Sequence, residues 1–141
     1  MATNPTNPPV GPARDPGIQC VTYIRFDINY SDAGIGNAVA VGRILPAGGI
    51  IVGTDVMVNA TFNAGTANTL TIGTNGTTAN NIVATVTATS GALTQNLAPT
   101  GTALGKLAAD SPIYKKYAST GTAATQGNAT FIVKFVPNND L

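Results

Sequence analysis

The stretch Ile50-Ile51-Val52-Gly53-Thr54-Asp55-Val56-Met57-Val58-Asn59-Ala60-Thr61-Phe62 decides the fold class. Ile50, Val52, Thr54, Val56, Val58, Ala60 and Phe62 fall on one side of a two-residue repeat, and Ile51, Gly53, Asp55, Met57, Asn59 and Thr61 on the other. That period belongs to an extended strand with one buried face, because successive side chains of a β-strand point to opposite sides. Glycine inside such a run predicts a bend or bulge at Gly53. The segment is expected to be the central strand of the core.

Working outward, the same period recurs. From Cys20 to Tyr30, Thr22, Ile24, Phe26, Ile28 and Tyr30 alternate against Val21, Tyr23, Arg25, Asp27 and Asn29. Residues 31–37 (SDAGIGN) carry turn chemistry, and a strand over Ala38 to Leu45 ends at Pro46-Ala47-Gly48-Gly49. Downstream, Asn63-Ala64-Gly65-Thr66 turns the chain into a strand over Thr69 to Thr74, on which Leu70 and Ile72 share a face. Asn75-Gly76 predicts a tight turn, since both residues tolerate positive φ. Asn81 to Thr89 reads as a strand with Ile82, Ala84, Val86 and Ala88 against Val83, Thr85 and Thr87. Gly91 to Ala109 scatters Leu93, Leu97, Leu104 and Leu107 among Gly, Pro and Thr, which fits short strands or loops better than a helix. Ser111 to Ser119 and Asn128 to Val136 close the series, with Phe131, Val133 and Phe135 on one face. Seven or eight short strands separated by turn signals predict an all-β fold, a jelly-roll-like two-sheet sandwich.

Residues 1–18 stand apart. Pro5, Pro8, Pro9, Pro12 and Pro16 exclude both helix and central strand, so the segment is expected as an extended arm ahead of a single domain over 19–141. Such a segment suits either a tail without fixed structure or an arm lying on a partner, because polyproline geometry loses little entropy on docking. Asn4, Pro8, Pro9, Val10 and Arg14 are the candidate partner contacts on it.

Composition narrows the chemistry. The 141 residues contain no His, no Glu, no Trp and a single Cys, with 9% charged residues and a net charge of +1. Without His, Ser and Cys lack their usual activating base; Ser111 with Lys115 is a coincidence of one short strand. Six scattered Asp offer no evident carboxylate pair for glycoside hydrolysis. Zinc ligation lacks its ligand set, and Asp27, Asp32 and Asp55 lack the spacing of a calcium loop. No enzyme, cofactor or metal is therefore expected. No basic run tracks a phosphate backbone, no apolar run reaches the ~20 residues of a membrane helix, and the first residues lack the pattern of a secretory leader. Neither direct nucleic-acid binding nor a membrane span is expected, and the chain is expected to stay in the cell that makes it. Cys20 reads as a small core residue at a strand start. Four Asn-x-Ser/Thr sequons, at Asn29, Asn59, Asn75 and Asn128, are what a chain rich in Asn and Thr produces by chance.

The low charge density is itself informative. Free soluble domains carry about 25% charged residues, so a chain with so few is expected to have much of its surface covered in an assembly. The cluster Tyr114-Lys115-Lys116-Tyr117 concentrates aromatics and cations. It fits a solvated strand with one buried face, or a contact patch for an acidic protein surface.

Leu45-Pro46-Ala47-Gly48-Gly49-Ile50-Ile51, then Val56 to Thr66 and Asn68 to Thr74, together with Gly127 to Val136, resemble a pattern of small tailed-phage structural proteins: a strand entered after a Pro-Ala-Gly turn, and an aromatic-Asn-Ala-Gly-Thr turn leading to a Leu-Thr-Ile-Gly strand. In size and pattern the chain is most similar to the capsid cement (head decoration) proteins of podophages such as one of Bordetella. The resemblance covers roughly Arg43 to Thr74 and the last strand. It implies a jelly roll, made in the host cytoplasm, that sits as a homodimer on the outer surface of an icosahedral head and clamps neighbouring major capsid subunits against the pressure of packaged DNA. The competing expectation is a receptor- or glycan-binding domain of a phage fibre or adhesin, which would favour a trimer and an aromatic sugar platform; the absence of Trp counts against it.

Overall fold

A computed structural model describes residues 20–86, 88 and 91–138. Eight strands run in order: β1 (Thr22–Asn29), β2 (Val39–Leu45), β3 (Ile50–Ala60), β4 (Ala67–Gly73), β5 (Val83–Val86), β6 (Leu93–Leu97), β7 (Ser111–Thr120) and β8 (Asn128–Val136), with one 3-10 turn at Gly101–Ala103. First pairs with last and so inward: β1 with β8, β2 with β7, β3 with β6 and β4 with β5, all antiparallel. Two further pairings, β3 with β8 and β4 with β7, join these into sheets of order β1-β8-β3-β6 and β2-β7-β4-β5. One long hairpin rolled into two facing sheets is a jelly roll, as the strand pattern predicted.

The core lies between the sheets. Ile28, Leu45, Val56, Val58, Phe62, Leu70, Ile72, Ile82, Val83, Ile113, Phe131 and Val133 are its largest fully buried side chains. Phe26 stacks on Phe131 with centroids 5.8 Å apart, and Phe62 meets Tyr117 at 4.6 Å. The Asn63 turn is tied to the loop before β8: its Oδ1 accepts the Thr125 and Gln126 N–H groups, and Gly65 N–H donates to the Thr122 carbonyl. The resemblance-bearing Asn-Ala-Gly-Thr stretch thus serves as a clamp between distant loops.

Several expectations change. The bulge near Gly53 is present, since β3 slips against β8 between Ile51 and Gly53. It reverses the phase of the strand: Ile51 is buried at 4%, whereas Ile50 and Val52, expected inside, are 44% and 47% exposed. One extra residue on a strand moves everything before it to the other face. At the start of β5, Val83 and the preceding Ile82 are both buried and Ala84 is exposed, so simple alternation fails there too. The strand is also shorter than Asn81 to Thr89, and residues 87, 89 and 90 fall outside the described residues. Asn75-Gly76 does not use positive φ; the left-handed residue is Ala79 at 46°. Asn75 Oδ1 instead accepts the Thr77 N–H at 2.7 Å, and glycine at 76 leaves room for the Tyr114 ring, 3.2 Å from where a Cβ would lie. Cys20 is exposed, not core.

Candidate functional site

Each sheet turns one face to the core and one outward. On the second sheet the register sets Ala40 beside Tyr114 and Gly73, Ile44 beside Pro112, Lys116 beside Thr71, and Ala118 beside Thr69. These rows carry Lys116 as their one charge, and Ile44 is 61% exposed. Along these rows the face is apolar to weakly polar, and Thr71, 8% exposed, is already largely covered from within the chain.

The cluster on β7 divides between the two faces. Tyr114 and Lys116 face outward. Tyr117 points in, buried against Phe62, and its hydroxyl donates to Asn68 Oδ1. Lys115 shares the inward side with Ile113 and Tyr117, and its ammonium reaches β1 at the sandwich margin, donating to the Asp27 carbonyl at 2.8 Å and pairing with Asp32 Oδ2 at 2.5 Å. Strand alternation brings Tyr114 and Lys116 together as a surface and assigns Tyr117 and Lys115 to holding the sheets in place. Asn4, Pro8, Pro9, Val10 and Arg14 lie outside the described residues.

The outward face of the first sheet is a ladder of short polar side chains. Asn59 Nδ2 donates to Asn128 Oδ1 and Thr130 Oγ1, Thr130 Oγ1 donates to Asp27 Oδ1, and Asn128 Nδ2 donates to Asn29 Oδ1. These bonds link β3, β8 and β1 across the face. Farther along, Lys134 Nζ bonds Asp55 Oδ1 at 3.0 Å and Asn96 Oδ1 at 2.5 Å, while Asp55 Oδ1 accepts the Asn96 N–H at 2.9 Å. Beside this lacework stand exposed Val21, Tyr23, Ile50 and Val52, and Met57 opposite Leu93. Sequence periodicity missed Ile50 and Val52 as surface residues because the bulge that exposes them depends on β8.

Electrostatics here is structural. Burial raises the Asp32 carboxyl, but the hydrogen bond from Lys115, the Asn29 N–H, the Lys115 charge and the Asn29 amide outweigh it and hold its pKa below the ordinary 3.8. Burial likewise raises Asp55, but the Asn96 N–H and Lys134 outweigh it and hold its pKa below 3.8 as well. Asp32 and Asp55 therefore serve cations and amides, the Asp27 carboxylate accepts the Thr130 hydroxyl, and among the described residues no three His, Cys, Asp or Glu converge on a metal position. The four sequon asparagines are all hydrogen-bonded through their side chains. An open depression of about 450 Å³ lies between Ala47, Gly48, Lys106, Leu107, Ala108 and Asn138; it presents one ammonium and an amide, and among these lining residues no nucleophile–base pair. Among the described residues no helix is long and apolar enough to cross a membrane.

Two solved capsid structures contain this fold. A chain of the cyanophage Pam1 capsid asymmetric unit superposes with a TM-score of 0.60 and 14% identity, over 84% of this chain and 86% of that one. A chain of the capsid of Ralstonia phage GP4 gives 0.58 and 22% identity, over 84% of each. At those identities the likeness is one of fold. No protein-family model and no curated protein matches the sequence.

Proposed function

We propose that this chain is a structural, non-enzymatic virion protein that binds the outer surface of an icosahedral phage head as a homodimer and cements adjacent major capsid subunits. The observation that carries the proposal is a jelly roll of low overall charge, 9% of its residues, whose fold recurs, across most of both chains, in two phage capsids. In this reading the shell is stabilised by mass action. A protein that binds assembled shell and not free subunits adds RT ln(1 + [L]/Kd) per site, about 2.7 kcal/mol at a hundredfold excess over Kd. A dimer touching neighbouring capsomers gains further from effective concentration. The arm, residues 1–18 with Asn4, Pro8, Pro9, Val10 and Arg14, lies extended on a neighbour, and Tyr114 with Lys116 supplies a contact on the opposite sheet.

The test is to add the purified protein to heads that lack it, sediment them, and follow DNA release on heating. Co-sedimentation and a raised release temperature are expected. Protein left in the supernatant with unchanged release would sink the proposal. Deleting residues 1–18 is expected to weaken head binding while leaving the thermal unfolding of the sandwich in place; binding unaffected by the deletion would remove the arm from the contact.

A further inference from the structure

A sandwich of two open sheets has four edges, here β1 and β6 on one sheet and β2 and β5 on the other. Three are poor templates for another strand. β2 loses its pairing with β7 between Ala40 and Ile44, where Gly42 sits at φ 76°. β6 has five residues, a register shift against β3, and Asn96 at φ 55°; β5 has four residues. Short, kinked edges of this kind resist pairing. β1 has none of these features: its eight residues run in unbroken register with β8 from Thr22↔Phe135 to Asn29↔Asn128.

The backbone groups on its open side can be named. Tyr30 N–H donates to the Gly127 carbonyl on the β8 side, so Thr22, Ile24, Phe26 and Ile28 also bond toward β8, and Tyr23, Arg25, Asp27 and Asn29 face away. The far end is already capped from within, because Asp32 accepts the Asn29 N–H and Lys115 donates to the Asp27 carbonyl. Tyr23 and Arg25 keep their backbone N–H and C=O without partners among the described residues. On the core side of the same edge, Ile24 and Phe26 are only partly buried. Both the hydrogen bonding and the apolar packing of the sandwich are unfinished at this edge.

We infer that the β1 edge, at Tyr23 and Arg25, is a docking site for β1 of a second copy, antiparallel, with Ile24 on the two-fold axis. The inference rests on the homodimer proposed above and specifies how it forms. Residues 1–18 make a poor regular strand for the edge, since prolines at 5, 8, 9, 12 and 16 lack the N–H and confine any ladder to short stretches. A second β1 supplies the same free groups in reverse order. With Ile24 on the axis, Tyr23 of each copy exchanges both backbone bonds with Arg25 of the other, using uncapped groups. Moving the axis to Arg25 sets like charges opposite each other, and moving it to Phe26 aims Arg25 at the Asp27 carbonyl that Lys115 occupies. In the favoured register Tyr23, 67% exposed in one copy, lies against the Arg25 guanidinium of the other, a cation–π arrangement. Ile24 meets Ile24, and Phe26 meets Thr22, which covers the half-open margin of both cores. The product is a continuous eight-stranded sheet.

Sedimentation velocity across a concentration series tests the pairing, with thermal unfolding as the check on the fold. The wild-type protein is expected to dimerise. Tyr23→Lys places a cation opposite Arg25 at two symmetry-related positions and is expected to raise the dimer Kd about tenfold, and adding Arg25→Glu to it restores opposite charges and the wild-type Kd. Arg25→Pro removes an N–H that faces away from β8, so the sandwich folds and stays monomeric. A wild-type monomer would overturn the homodimer together with this inference. A dimer indifferent to Tyr23→Lys and Arg25→Pro would overturn this inference alone and move the interface to another face.

Discussion

Gly127 sits at φ 150° directly over the Phe62 ring, with a Cβ position 2.3 Å from Phe62 Cδ1. Any side chain there must displace a ring that is itself wedged against Tyr117. Gly127→Ala is therefore expected to lower unfolding free energy by about 2–3 kcal/mol, measured by urea denaturation, through overpacking and an unfavourable backbone angle. Thr54 offers the opposite case. It is fully buried in the core face of β3, and its Oγ1 has no hydrogen-bond partner among the described residues. Replacing an unsatisfied buried hydroxyl with a methyl of the same shape removes a desolvation cost, so Thr54→Val is expected to stabilise by about 1 kcal/mol. An unchanged or lower urea midpoint would show that the hydroxyl is bonded.

At the scale of elements, β3 and the β1–β7 contact carry the instructive cases. The bulge sets Ile51 inside and Val52 outside, so Ile51→Asn is expected to cost about 3 kcal/mol or more, whereas Val52→Asn stays within about 0.5 kcal/mol of wild type. Equal costs would mean that the strand runs straight. Lys115 ties β7 to β1 and to the loop after it through Asp32. Because the folded Asp32 and Asp55 have pKa values below their ordinary 3.8, the unfolded chain binds more protons between those values and 3.8. Stability from these pairs is complete above about pH 5 and is lost as pH falls through the folded pKa values. Thermal unfolding from pH 6 to pH 2 is expected to show that decline, and Asp32→Asn is expected to flatten it. A slope unchanged in that variant would mean that Asp32 contributes nothing to it.

At the scale of the whole molecule, the space between the two sheets is filled without using much charge. Fully buried Phe131, Val133, Val56, Val58, Leu70 and Ile72 fill the space between the sheets, and polar ladders of Asn, Thr and Asp hold the outer face of the first. A face held by short hydrogen-bonded side chains is pre-ordered, so covering it costs little conformational entropy. That property suits the clamp role proposed above, and it is the whole-molecule ground for expecting DNA release at higher temperature when the protein is added to heads.

Legibility in the sequence followed the range of the interaction. The alternation of Phe131, Val133 and Phe135, and of Leu70 with Ile72, is local, since a strand's two-residue period is written into consecutive positions; it determined the all-β class and nearly every strand from one sequence. Turn chemistry at Pro46 to Gly49 and Asn63 to Thr66 is local as well. What tertiary structure alone decided depends on partners far along the chain. Gly53 marks a bend or bulge in the sequence, but which face Ile50 to Val52 take beyond it is set by the register with β8. Lys115 was legible as a cation but not as a strut, because Asp32 lies 83 residues away. The open edge of β1 exists only because first strand pairs with last and leaves its other side without a strand among the described residues. Periodicity is a property of neighbours in sequence, whereas register, edges and faces are properties of neighbours in space, and loop closure across most of the chain separates the two.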